Sequence, residues 1–198
     1  MSELPPQKIQ TEAVTPAPEK SKRLVNQISL STELDENAKT ICQELLRDEY
    51  MRVGYEPVVI AAYDTRGERL AIYDETGEII GTIGLLLDEA GNPESLPAGT
   101  LFKEEVAKLQ EGGTRLIEIG QFATLDTVGL ARSALKNLVD QLVVRAKSLG
   151  AQVAVITVNP RHAPLYERLG FSRVEAGTRH YEEVGAPAVL LSRPVTLQ

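Results

Sequence analysis

Glu118 is the first residue whose type and setting suggest chemistry. If Arg115–Leu125 is a strand, Leu116, Glu118, Gly120 and Phe122 face one way, and Ile117, Ile119 and Gln121 the other. A carboxylate in that apolar or small row is either paired with an arginine or stripped of water, with a raised pKa. The second state is that of a general base working near neutral pH. Gly120 inside a strand marks a bulge or a close backbone approach. Backbone amides released by such a bulge could hold a carbonyl oxygen, as an oxyanion hole does.

Two further stretches carry potential chemistry. In Asp126-Thr127-Val128-Gly129-Leu130-Ala131, Gly129 and Ala131 keep side chains away from the start of a helix. A phosphate could then approach the amides of Gly129, Leu130, Ala131 and Arg132, although most such turns simply begin helices. In Asn159-Pro160-Arg161-His162-Ala163-Pro164-Leu165-Tyr166-Glu167-Arg168-Leu169-Gly170-Phe171, Pro160 ends a strand. Tyr166 falls on the short helix that follows. Cys42 sits on a helical apolar stripe and reads as a small buried hydrophobe. One cysteine and two histidines, His162 and His180, give no metal centre.

The elements that must position these residues centre on Thr114–Phe171. A strand (Thr114–Leu125), a glycine turn, a helix (about Leu130–Leu149) and a second strand (Gln152–Val158) form a βαβ unit. The helix carries the stripe Leu135, Leu138, Val139, Leu142, Val143, Ala146 and Leu149, and the second strand is continuously apolar, as one covered on both faces should be. Tyr166 therefore lies at the open end of two parallel strands. Upstream, Thr32 with Asp35 starts a helix that runs to about Tyr50. Leu24–Leu30 reads as a weak first strand. Val58–Ala62, Arg69–Tyr73 and Glu78–Leu87 read as strands, the last two joined by a hairpin with Gly77 at positive φ. Leu101–Gln110 is a helix stopped by Gly112-Gly113, and Arg179–Pro194 suggests a closing antiparallel pair. Met1 to Arg23 is polar and proline-rich, and is expected to be a disordered tail before one domain over 24–198.

With 42% hydrophobic and 25% charged residues among 198, the composition is that of a globular domain. No apolar run could span a bilayer and no secretory leader is visible, so a cytoplasmic location is expected. A net charge of -7 argues against nucleic acid. The charge is unevenly spread. Between Gly129 and Arg173, seven basic residues (Arg132, Lys136, Arg145, Lys147, Arg161, Arg168, Arg173) face two acids (Asp140, Glu167). That surplus is either ordinary solvated helix surface or a rim for a phosphate-bearing ligand or an acidic carrier.

The stretch from Asn159 to Phe171, with Tyr-x-x-x-Gly-Phe, resembles the last motif of the GNAT acyltransferases. Gly129-x-Ala131 resembles the end of their phosphate loop, with Asp126 at its first position. The resemblance implies the GNAT fold: an α/β (α+β) architecture with a mixed central sheet, flanking helices and two splayed parallel strands. It implies Tyr166 as the general acid for a leaving thiolate and Glu118 as the general base for an amine. It also implies Gln121, Phe122, Ala123, Thr124, Gly129, Leu130, Ala131, Arg132, Asn159 and Arg161 as residues around a pantetheine thioester, acyl carrier protein (acyl-ACP) or acyl-CoA, with no metal.

A narrower resemblance covers most of the chain. Glu49–Tyr55, Gly81-Thr82-Ile83, Leu96-Pro97, Glu118–Ala123, Asn159–His162 and Val184–Leu191 resemble the N-acyl amino acid synthases. That branch is related in fold to the acyl-homoserine-lactone autoinducer synthases. It implies transfer of a long acyl chain from acyl carrier protein to an amino-acid nitrogen. The family pattern favours arginine where this chain has Gly84 and Gln121. Asp126 would repel a pyrophosphate, which suits a donor with a single phosphodiester better than coenzyme A. The alternatives are an acetyl-CoA-dependent N-acetyltransferase of a small amine, or a non-catalytic acyl-binding sensor.

Overall fold

The computed structural model describes residues 22–52, 66–182 and 185–196. The strand expected over Val58–Ala62 lies outside them. In chain order the elements are β1 (Arg23–Val25), β2 (Ile28–Ser31), α1 (Glu36–Arg52), β3 (Glu68–Asp74), β4 (Ile79–Leu87), α2 (Pro97–Leu101) and α3 (Lys103–Leu109). There follow β5 (Leu116–Thr124), β6 (Val128–Leu130), α4 (Arg132–Ser148), β7 (Val153–Val158), α5 (Ala163–Glu167), β8 (Ser172–Arg173), β9 (Arg179–Tyr181) and β10 (Ala186–Pro194).

The main sheet has the order β2-β3-β4-β5-β7-β10-β8, with β9 paired to the first residues of β10. Its pairs are antiparallel except β5 and β7, which lie side by side in parallel. That exception follows from α4, whose crossover returns the chain to the same end of the sheet. The helix is held down by Ala134, Leu138, Val139, Leu142, Val143 and Ala146, all buried, while Leu135 and Leu149 are half-buried at the edge of the stripe. Burial of a side chain such as Leu138 or Leu142 contributes about 2 kcal/mol.

Strand alternation divides the sheet into two faces. Leu70, Ile72, Ile83, Leu85, Ile117, Ile119, Ala154, Ile156, Val189 and Leu191 join the core beneath α4. The opposite face carries Leu86, Leu116, Val155 and Leu190 beneath α2 and α3, with Phe102 and Val106 as the helices' contribution. α1 covers the β3–β5 part of this second face through Ala38, Cys42 and Leu46. Asp35, rather than Thr32, caps α1: its carboxylate accepts the Ala38 N–H at 2.7 Å.

The β3–β4 hairpin turns at Gly77, whose φ of +81° suits a residue without Cβ. Asp74 organises that turn, accepting from the Thr76 N–H, the Thr76 hydroxyl and the Glu78 N–H. It also takes the Arg23 guanidinium at 2.7 Å. The Thr76 hydroxyl, and after it Arg23, holds the Asp74 carboxyl well below the ordinary carboxylate range, against the opposing effect of burial.

Three expectations change at the N-terminal edge. Arg23, assigned to the tail, is the first residue of β1. The single strand over Leu24–Leu30 is two strands in two sheets: β2 pairs with β3, whereas β1 pairs in parallel with β6. The turn at Gly129 is itself extended and forms β6. Period-two patterning cannot reveal a pairing between segments a hundred residues apart, each three residues long. The helix expected over Leu101–Gln110 is α3 alone, and the separate short helix α2 precedes it, with a break at Phe102.

Candidate active site

β5 and β7 pair over three positions, Leu116 with Val153, Ile117 with Ala154 and Glu118 with Val155. β5 then continues to Thr124 and β7 to Val158 without further pairing between them. The two strands diverge into a wedge that opens where α5 begins. Glu118 stands at its apex.

Glu118 is 4% exposed, on the face shared with Leu116 and Val155. Its Oε2 accepts the Ala98 N–H of α2 at 2.8 Å. Gly99 makes that contact possible. A Cβ there would lie 1.7 Å from the Pro93 carbonyl oxygen, so only glycine lets α2 sit against the preceding turn. The bond fixes the orientation of a carboxylate that the sequence placed but could not partner.

Past Glu118 the strand bulges. Gly84 lies opposite Gly120, yet Thr82 lies opposite Ala123, so β5 has one residue more than β4 over this stretch. Gln121 absorbs it at φ +54°, the left-handed region, which costs a non-glycine residue about 1–2 kcal/mol. The bulge expected at Gly120 is present, and it reverses the predicted facing beyond it. Phe122 packs with the core beneath α4, away from Glu118. Gln121 turns toward Arg69 of β3, whose guanidinium donates to its Oε1. Ala123 is buried and Thr124 half-buried, paired with Thr82 and Gly81 of β4. Gly81 permits that approach, because a Cβ on it would meet the Ala123 carbonyl oxygen at 2.7 Å.

At the mouth of the wedge, Asn159 caps the turn after β7 by accepting the Arg161 N–H at 3.1 Å. The turn delivers Tyr166 on α5. Its half-buried ring packs on the core beneath α4 and meets Phe171 edge-on, with centroids 6.1 Å apart. Burial pushes the Tyr166 hydroxyl pKa up, so the phenol keeps its proton. Arg161 is exposed and donates to the His162 ring. Burial and the Arg161 charge push the His162 pKa down.

The phosphate loop differs from expectation. The Ala131 N–H donates to Val25 O at 2.8 Å, and Gly129 lies against Leu24 and Lys22. β1 thus occupies part of the backbone assigned to a phosphate. Asp126 is offset by Arg52 at 3.3 Å. The start of α4 carries no side-chain cap. Beside it runs a cleft of about 550 Å³ whose lining includes Arg132, Lys136, Arg168 and Arg193. Of the seven basic residues in the Gly129–Arg173 segment, Lys136, Arg145 and Arg173 are tied to Asp140, Glu68 and Glu167. Arg132 and Arg168 remain for the cleft. Neither Asn159 nor Arg161 lines it.

Two polar residues beside the candidate site escaped the sequence reading. Thr157 lies on the diverging part of β7, and its hydroxyl oxygen is buried without a hydrogen-bond partner among the described residues. A threonine in an apolar strand was the available signal. Arg69 was seen only as the start of a strand.

A family model described as N-acyl amino acid synthase FeeM matches residues 41–194. No curated protein matched the sequence. Among solved structures, FeeM, an N-acyl amino acid synthase from uncultured soil microbes, aligns at TM-score 0.73 and 23% identity, covering 85% of this chain and 90% of that one. TofI, solved in a ternary complex with an inhibitor and MTA, aligns at 0.61 and 16% identity, covering 87% and 93%. A Bacillus subtilis acetyltransferase solved with CoA aligns at 0.51 and 17% identity, covering 85% and 97%. Such identities carry the fold, which is the GNAT fold, with the parallel pair splayed as described. The protein is an N-acyltransferase, and the chain belongs to the N-acyl amino acid synthase FeeM family.

Proposed function

We propose that the enzyme moves a long acyl chain from acyl carrier protein to the nitrogen of an amino acid, within the wedge between β5 and β7. The observation that carries this is the loss of pairing after Glu118 and Val155. It leaves an opening with Glu118 at the apex and Tyr166 at the mouth, reached from opposite faces of the sheet. The donor enters from the α4 side and the acceptor from the α1 side.

The amine nitrogen attacks the thioester carbonyl carbon, and amides of the bulge over Gln121–Thr124 receive the developing oxyanion. Glu118 accepts the proton lost by the nitrogen, directly or through a water. As the carbon–sulfur bond breaks, Tyr166 gives its proton to the sulfur, and the new amide and a free thiol leave. The phenol then recovers a proton from solvent. Catalysis is positioning plus proton transfer, with no covalent enzyme intermediate. Cys42, buried on the inner face of α1, has no part in it.

A carrier-protein donor is favoured over coenzyme A by the loop. With the Ala131 N–H given to Val25 and Asp126 beside it, the backbone suits one phosphodiester better than a pyrophosphate. The cationic cleft at Arg132 and Arg168 suits an acidic carrier surface.

The test is thiol release from dodecanoyl carrier protein and from dodecanoyl-CoA, each with a pool of amino acids. Release abolished by Tyr166→Phe or Glu118→Gln supports the mechanism. Acyl binding without turnover would make the protein a sensor, and clear preference for the CoA ester would remove the carrier.

A further inference from the structure

We infer that Arg69 is the residue that receives the carboxylate of the acceptor, so that the enzyme selects amines bearing an adjacent acid. The inference deepens the acyl-transfer proposal and rests on it for the acceptor's place in the wedge. Arg69, Gly84 and Gly120 are register partners on three neighbouring strands. Strands are spaced about 4.8 Å apart, so the Arg69 and Gly120 backbones stand roughly 10 Å apart. Neither Gly84 nor Gly120 puts a side chain between them. The Arg69 side chain crosses this bare lane and ends at Gln121 Oε1 on the bulge. Its charge also acts on the Cys42 thiol, opposing burial there, which places the guanidinium in the space under α1.

Glu118 lies on the same face, two residues before Gly120, or roughly 7 Å along the strand. A guanidinium that ends at Gln121 and a glutamate three residues earlier on the same strand and face bracket a small molecule with an acid at one end and an amine at the other. In an α-amino acid a single carbon separates the two. A carboxylate on the guanidinium fork would therefore point its amine back toward Glu118 and the wedge. The planar fork can give two parallel hydrogen bonds to a carboxylate, and the bond to Gln121 holds its plane across the lane. A merely structural arginine would do less: it would pin Gln121 in its left-handed conformation and affect all acceptors alike.

The experiment is calorimetric binding of N-dodecanoyl-alanine and of its carboxamide, below their micelle thresholds, to the full chain, to Arg69→Gln and to Arg69→Lys. The native protein is expected to prefer the acid by about 10- to 100-fold, the range of a charged hydrogen bond. Arg69→Gln should erase the preference while leaving carboxamide binding intact, and Arg69→Lys should retain part of it. Equal binding of acid and amide by the native protein would overturn the assignment. So would equal weakening of both ligands in Arg69→Gln. Should that variant fail to fold, the native comparison and Arg69→Lys decide the matter. A preserved acid preference without thiol release from any donor would sink acyl transfer and leave Arg69 as a carboxylate-binding residue. Turnover of amines without a carboxylate, at the rate seen with amino acids, would do the reverse.

Discussion

Tyr166 and Thr157 illustrate two ways in which one polar group can matter. The Tyr166 phenol has its pKa raised by burial, so it stays protonated across the working range. Tyr166→Phe is expected to lower kcat by about 10²–10⁴-fold with KM nearly unchanged, measured by thiol release. The same shift makes a stability prediction. The folded chain favours the neutral phenol, so that contribution is complete below the unfolded value near 10 and lost as pH rises through the higher folded value. Tyr166→Phe should lack this part of the alkaline decline in thermal melts. Thr157 holds a buried hydroxyl without a hydrogen-bond partner among the described residues. Thr157→Val should stabilise the free protein by about 1 kcal/mol while lowering kcat/KM roughly 10-fold, if the hydroxyl is reserved for substrate. A variant less stable and fully active would count against that role. At this scale the sequence displayed Tyr166, through its motif, and Glu118, through its odd company in an apolar row. It concealed Arg69, because the residue's significance depends on lying in register with Gly84 and touching Gln121, the two positions where the family resemblance favours arginine.

Among the elements, β5, α4 and β7 were legible because each has a strong and different period. Their ends shifted by one or two residues, as helix and strand termini commonly do. The bulge was foreseen at Gly120, but its consequence was not: one extra residue exchanges the faces of Gln121 and Phe122. α2 was missed altogether, since five residues with proline, glycine and threonine have no helical signature. Yet α2 holds Glu118 in place. Gly99→Ala is expected to destabilise the fold by about 2 kcal/mol and to lower kcat as well, because the added methyl meets the Pro93 carbonyl and moves the Ala98 amide. Denaturant melts alongside thiol release would check both effects. The hairpin gives a separate prediction. Asp74 has a depressed folded pKa, so its contribution is present above the unfolded value near 3.9 and lost as pH falls toward the folded one. Asp74→Asn should be less stable than the native chain at neutral pH, and the gap should close in acid.

For the whole molecule, a net charge of -7 would repel an acidic carrier, whereas the cleft beside α4 would attract it. Local charge governs docking at short range, and salt screens it over about 8 Å at physiological ionic strength. Arg132→Glu and Arg168→Glu together are expected to raise KM for acyl carrier protein about 10-fold or more, with a weaker effect at high salt and little change in kcat. An unchanged KM would move the carrier elsewhere. The sequence located this surplus of basic residues but not its division, since pairing with Glu68, Asp140 and Glu167 is a matter of folding. Nor could it foresee that the chain's first described strand would lie along β6.

The divergence of β5 from β7 leaves rungs of a ladder unmade in the middle of a sheet. A pantetheine arm carries amide groups of its own, and lodged in the gap it can serve as a temporary strand, completing with a substrate what the polypeptide left open. Donor binding should then slow hydrogen–deuterium exchange most at residues 119–121 and 156–158, within an interior that solvent otherwise visits through a missing seam.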